Sequence, residues 1–355
     1  MTTPRTFLIV SLRYNGDVLL STPLARSIRA EYPEAAVDYL VFEGTEGILA
    51  RNPDVRNVFT VRPGSRSLTA LLGRWKEYDV SIGVNASDRT AFQLIAAGRR
   101  SIGFADPRPK EWWKRRLFSH CSTYDPERHV VELLLGQLRY LLIRPIPEVS
   151  IHFGEEALAA AREAAGAGDF ILLHPYTRWE YKKWPSAHWA GLCRRIEEAT
   201  GERALFTVAP GGFEGRIREE ILEAGIRRDR FVSRELPLTG LAALVSLAKT
   251  YVGVDTVVTH MAAALGRPTV AIFGPTPPHR WGPWPNGHPL AAPYVNRGGI
   301  QRNGNIVIVQ KDWECVPCDR MGCDHRPDST SRCLLELSVE EVYQELRRFP
   351  GSASA

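Results

Sequence analysis

The apolar positions of this chain fall in short runs of strand length, separated by amphipathic stretches of helix length. Residues 6–12 (TFLIVSL) are apolar on both faces, as in a buried parallel strand. The turn Arg13-Tyr14-Asn15-Gly16-Asp17 follows, and then a helical pattern runs to about Tyr32. Gly16 is read as the residue that permits an unusual turn dihedral. Pro23, inside the helical stretch, predicts a break or a late start there. Strands are expected at 36–42, 57–61, 79–84 and 101–104, with helical stretches near 46–52, 68–75, 90–97 and 127–143. Strand alternating with helix predicts a doubly wound α/β sheet.

The pattern restarts after Pro145 and Pro147, where a strand-like 149–153 marks the crossing into a second domain. Strands are expected there at 170–174, 203–208, 231–232, 251–254 and 269–273. Helices are expected at 155–166, 213–224, 239–248 and 338–348. The division is an N-terminal domain over 1–150 and a C-terminal one over 151–355. Length agrees, since 355 residues exceed one ordinary core.

Composition narrows the class. The 44% hydrophobic content is that of a soluble globular chain. No apolar run is long enough for a membrane helix, and the opening MTTPRT has no signal-peptide core, so a cytoplasmic location is expected. The net charge is +5, and residues 99–116 alone carry seven Lys or Arg against Asp106 and Glu111. The surplus is therefore local. Basic residues beside Trp112 and Trp113 can grip an anionic sugar chain or an anionic lipid surface, or they can form a solvated face. Acceptor contact through Arg108, Lys110, Lys114, Arg115 and Arg116 is the favoured reading; nucleic acid is not expected.

The chemistry concentrates at 251–284 (YVGVDTVVTHMAAALGRPTVAIFGPTPPHRWGPW). A strand ends at Asp255, and Thr256 can cap a helix that Gly266 and Pro268 terminate. The next strand completes a βαβ step. Its tight turn gathers free N–H groups at the positive end of a helix, which suits a phosphate. Asp255 lies where open α/β sheets place ligands. No G-x-G-x-x-G follows the first strand, which argues against a dinucleotide-dependent oxidoreductase.

These residues resemble the donor-site signature of bacterial lipopolysaccharide heptosyltransferases, glycosyltransferase family 9: Asp255-Thr256, His260, the Ala run, Gly266, Pro268 and the FGPT at 273–276. The opening RYNGDVLLSTPLARSIRAEYPEAAVDYLV resembles the family's N-terminus, and the 170–185 stretch resembles its strand, loop and Lys-x-Trp-Pro motif. The resemblance implies a GT-B fold, two Rossmann-like domains facing a central cleft. It implies inverting transfer of a heptose from ADP-L-glycero-D-manno-heptose to the lipopolysaccharide inner core, at the cytoplasmic face of the inner membrane. Asp17 falls at the family's general base; read physically, it is also an ordinary first-turn acid. Lys182 falls at the diphosphate-binding lysine, with Lys183 at a variable position. Thr177, Glu214, Asp255, Thr256, Val257 and His260 complete the implied donor site. Val257 and Val258 stand where the family usually has a Gly after Asp-Thr, so the backbone N–H must serve without a bare Cα. The RWEYKKWP loop leans toward the heptosyltransferase III type.

Two calls remain. The chain has no Asp-x-Asp, so metal-independent transfer with no required cofactor is expected. Cys315, Cys318, Cys323 and Cys333 have C-x2-C-x4-C-x9-C spacing. That spacing fits structural zinc or an iron–sulfur site; free thiols or fortuitous disulfides are the alternatives in a reducing compartment. Competing functions are another GT-B enzyme with a different nucleotide sugar, and a non-catalytic nucleotide-sugar binding protein. Asp17 argues against the latter, because binding alone needs no base.

Overall fold

The first buried run becomes β1 (Thr6–Ser11), and the chain then turns into α1 (Asn15–Leu20) and α2 (Thr22–Glu31). These come from a computed structural model, which describes residues 3–64, 74–209 and 211–349. The break between α1 and α2 falls at Ser21, and Pro23 sits in the first turn of α2, where a missing N–H costs nothing. Gly16 is a correction: it lies within α1 and is not among the left-handed glycines. There follow β2 (Ala36–Phe42), β3 (Asn57–Val61), β4 (Tyr78–Gly83), α3 (Asp88–Ala97), β5 (Gly98–Ala105), α4 (Trp112–Leu117), β6 (His120–Thr123) and α5 (Val130–Leu135). The helix expected at 68–75 falls mostly outside the described residues, as does Pro210.

The six strands form one parallel sheet in the order β3-β2-β1-β4-β5-β6. The order reverses beside β1, so the segment after β1, carrying Asp17, sits at the switch point where such sheets bind ligands. The helix expected at 127–143 is shorter for two local reasons. His129 Nδ1 accepts a hydrogen bond from the Val131 N–H at 3.2 Å and so caps the start. Leu142 adopts left-handed φ 57° at the end, after a tight turn at Gly136–Leu141.

The second half contains α6 (Glu155–Ala165), β7 (Ile171–His174), α7 (Ser186–Thr200), β8 (Ala204–Phe206), α8 (Phe213–Glu223), α9 (Leu238–Leu247), β9 (Thr250–Val254), α10 (Val257–Ala264), β10 (Thr269–Ile272), α11 (Pro278–Trp281), β11 (Gln301–Asn303), β12 (Ile306–Val309), α12 (Arg332–Leu335) and α13 (Val339–Leu346). The sheet order is β11-β12-β10-β9-β7-β8, with only β11 antiparallel. Its two faces bury separate apolar clusters, one including Leu173, Trp184, Trp189 and Val252, the other Leu172, Leu205, Tyr251 and Ala262. Residues 149–153 form no strand; the Ser150 N–H is taken by Thr22 Oγ1 at 3.0 Å instead. Residues 231–232 make only a single bridge, Phe231 to Phe206. By contact, the chain divides into Met1–His152 with Gly287–Ala291, and Phe153–Asn286 with Ala292–Ala355.

Candidate functional site

In the N-terminal unit, Asp17 lies in the first turn of α1, following β1. Its side chain is 16% exposed, and Arg13 Nε stands 3.4 Å from Oδ1. Burial pushes the carboxyl above its ordinary range, and Arg13 offsets part of that rise. A carboxylate held above its usual pKa is a better proton acceptor than a solvated one.

In the C-terminal unit, the segments after β7 and β9, the strands at that sheet's switch point, meet. Lys182 Nζ lies 2.5 Å from Asp255 Oδ2. Burial alone would raise the Asp255 carboxyl; the Lys182 ammonium, with a hydrogen bond from the Thr276 hydroxyl, outweighs it and holds the group below its usual value. Lys182 in turn is held charged by Asp255 against the opposing effect of burial. His260, one turn into α10, is buried and pushed down to about 4, chiefly by burial. It is therefore neutral at pH 7, and its Nδ1 is buried without a hydrogen-bond partner. Such an orphan normally costs free energy unless a ligand or water meets it.

Thr256 occupies the N-cap position of α10 with extended backbone. Its side chain makes no cap bond, which corrects the capping role read from the sequence. The first N–H groups of α10, beginning at Val257, thus depend on an outside acceptor. Cation, neutral imidazole and helix end converge on one place, an arrangement that suits a diphosphate. Thr177, after β7, is 1% exposed, and its hydroxyl accepts from the Trp179 N–H at 3.2 Å, folding the loop back toward Lys182. Glu214 lies in the first turn of α8, its carboxyl raised by burial and Glu235 while Arg178 offsets the rise. Lys183 points elsewhere, with Nζ 2.7 Å from Glu220 Oε2 on α8.

Sequence reasoning missed the supports of this site. Gln310, just after β12, donates from Nε2 to the carbonyls of Gly274 and Thr276 at 2.6 and 3.0 Å. Ser331 Oγ donates to the Tyr181 carbonyl at 2.6 Å. The short IVIV run at 306–309 was the available signal for a strand there.

The basic segment needs one correction. Lys114 is 1% exposed, with Nζ 2.7 Å from Asp88 Oδ1 and also paired with Glu111 and the Ala86 carbonyl. It is occupied inside the fold and does not present itself to an acceptor. Arg108 pairs with Asp106, and Arg115 reaches the Asp106 carbonyl at 3.1 Å; both remain exposed, as do Lys110 and Arg116.

All six cysteines are free thiols; Cys333 is buried while Cys315, Cys318 and Cys323 are exposed. The Cys323 sulfur accepts from the Arg332 N–H. Among the described residues no group of three or more His, Cys, Asp or Glu is placed to hold a metal ion.

With this geometry in hand, the likenesses to known proteins are specific. Residues 67–290 match the family Glycosyltransferase family 9 (heptosyltransferase). Lipopolysaccharide heptosyltransferase 1 of Pseudomonas aeruginosa is 28% identical over 94% of this chain and 92% of its own. A glycosyltransferase family 9 structure from Veillonella parvula superposes with TM-score 0.78 at 18% identity, covering 98% and 97% of the two chains. The E. coli heptosyltransferase WaaC with ADP superposes with TM-score 0.69 at 20% identity, covering 98% of this chain and all of that one. The fold is GT-B, and the chain belongs to glycosyltransferase family 9, the heptosyltransferases.

Proposed function

We propose that this glycosyltransferase moves a heptose from ADP-L-glycero-D-manno-heptose to the inner core of lipopolysaccharide, with inversion at the anomeric carbon. The observation that carries the reading is the Lys182–Asp255 pair beside the unpartnered His260 Nδ1 and the open end of α10. In support, WaaC, a heptosyltransferase of the same fold, was solved with ADP.

In the proposed step an acceptor hydroxyl gives its proton to the Asp17 carboxylate as its oxygen attacks the anomeric carbon. The bond from that carbon to the diphosphate oxygen breaks, and ADP leaves with the electron pair. One base and one displacement give inversion. Lys182, Thr177, Thr256 and the Val257 N–H group stabilise the charge on ADP, and Glu214 contacts the nucleoside sugar. Asp255 holds Lys182 in place before the donor arrives. These fixed charges supply what a divalent ion would otherwise provide, so transfer is metal-independent on this reading.

On the N-terminal unit, Trp112 and Leu117 of α4 are 66% and 55% exposed beside Arg115 and Arg116. We read this basic and apolar surface, with Arg108 and Lys110, as the contact for the anionic core acceptor and for the membrane that carries it. Incubation of the purified protein with ADP-heptose and a heptose-deficient core acceptor, followed by mass analysis, tests the reading. A heptosylated product and free ADP are expected; hydrolysis without transfer, or no consumption of donor, overturns it.

A further inference from the structure

Beneath the three segments of the proposed donor site lies a buried layer of uncharged polar groups. On one face of the C-terminal sheet the side chains alternate in register. Leu172 pairs with Tyr251 and His174 with Gly253 across β7 and β9, while Leu172 pairs with Leu205 of β8. The inner positions are apolar. At the carboxyl ends the same face turns polar, with His174, Thr207 and the Tyr251 hydroxyl.

These groups form two hydrogen-bonded sets, one on β7 and the segment after β8 and one on β9 and α10, joined by a ring contact. His174 Nδ1 and Thr207 Oγ1 are 2.9 Å apart, and the Tyr176 hydroxyl donates to the Thr207 carbonyl at 3.0 Å. The His174 ring lies near-parallel to the Tyr251 ring, centroids 6.4 Å apart. The Tyr251 hydroxyl is 3.0 Å from Thr259 Oγ1, which itself donates to the Val254 carbonyl at 2.5 Å. The Thr259 N–H donates to the Thr256 carbonyl at 3.1 Å. Tyr251, Thr207, Tyr176 and Thr259 are at most 1% exposed. Gly253 makes room for this path, since a Cβ there would sit 2.1 Å from the Tyr251 hydroxyl. Burial keeps His174 neutral, down to about 3, so the whole layer carries no charge.

Each member stands next to a donor-site segment in the chain. His174 and Tyr176 precede Thr177 and Lys182; Thr207 precedes the loop to Glu214; Tyr251 and Thr259 bracket Asp255 and Thr256. We infer that Tyr251, His174 and Thr207 are positioning residues: hydrogen bonds to Thr207 tie the segments after β7 and β8, the Tyr251–Thr259 bond fixes α10 on β9, and the His174–Tyr251 ring contact joins the two sets. A buried layer of this kind, its hydroxyls and the His174 Nδ1 each bonded, holds geometry more tightly than apolar packing alone. Binding that needs three segments at once is sensitive to their relative placement. The inference rests on the donor-site reading above.

Two variants test it, Tyr251→Phe and Thr207→Val, each removing one hydroxyl with little change of volume. ADP affinity by calorimetry and the KM values for ADP-heptose and acceptor are measured well below each variant's melting temperature. Loss of one buried hydrogen bond predicts ADP affinity and donor KM worse by roughly threefold to tenfold, with acceptor KM unchanged. A merely structural role would lower the melting temperature and leave the donor-to-acceptor contrast flat. The inference fails if both variants keep ADP affinity within about twofold of wild type while Lys182→Ala still weakens it. If ADP does not bind the wild type, or Lys182→Ala leaves binding unchanged, the donor-site reading itself is what fails. Should one variant not fold, the other alone decides the outcome.

Discussion

Lys182 and Asp255, 73 positions apart in the chain, meet at 2.5 Å, while the adjacent Lys183 turns to Glu220 on α8. Two neighbouring lysines therefore have different duties. Lys182→Ala should weaken ADP binding on the order of tenfold to a hundredfold, the worth of one charge-assisted phosphate contact. Lys183→Ala should change it by less than about threefold, since its partner is a half-exposed carboxylate. Calorimetric titration of both variants checks the order, and the reverse order would exchange the two assignments.

The basic segment separates in the same way. Lys114 is buried between Asp88 and Glu111, so Lys114→Met should cost about 3 kcal/mol of stability by leaving Glu111 unpaired in the interior. Arg115→Gln with Arg116→Gln should leave stability nearly unchanged and raise acceptor KM, more so at low salt. Denaturant midpoints for the first and acceptor titrations at two salt concentrations for the second read these effects. An unmoved acceptor KM would make that surface a solvated face.

Acid sensitivity of the rate should come from Asp17. Only its ionised form accepts a proton, and burial has raised its pKa, so kcat/KM should fall on acidification earlier than for an ordinary carboxylate near pH 4. Arg13→Ala removes the charge that offsets the rise, so the acid limb should move to higher pH. A limb that stays in place would separate the titration from Asp17.

Acid sensitivity of the fold should come from the C-terminal unit. Burial holds His174 at about 3 and His260 at about 4, against about 6.5 in the unfolded chain. Between about 6.5 and those values the unfolded chain binds protons that the folded chain does not, so stability falls as pH falls through that window. The carboxylates of Asp255 and Glu220, held low when folded, add their loss only below about pH 4.5. Urea midpoints at pH 7.5 and 5 should differ in that direction, and equal midpoints would contradict it.

Much of this was legible in the sequence. The strands at Thr6–Ser11 and Thr250–Val254 are largely apolar and buried because both faces of a parallel sheet are covered. The Asp255–Thr256 turn could be read because Gly266 and Pro268 fix where α10 must end. The strands β6, at a sheet edge, and β12, inside its sheet, were harder to read, being four residues each. The 15-residue α7 is amphipathic, yet it starts directly behind the Trp184-Pro185 motif and is masked by it. The inward turn of Lys114 has only Glu111, three positions earlier, as a local signal; its other carboxylate partner, Asp88, lies 26 positions away. The Tyr251, His174 and Thr207 layer has no such signal, since it exists only once three strands are set side by side.

The most direct test of the account is product formation by Asp17→Asn alongside wild type, with ADP-heptose and a heptose-deficient core acceptor, scored by mass of the product and by ADP affinity on the same samples. The account predicts a heptosylated product from wild type, a rate at least about a hundredfold lower from the variant, and unchanged ADP affinity in both. Turnover of the variant within about threefold of wild type would contradict it.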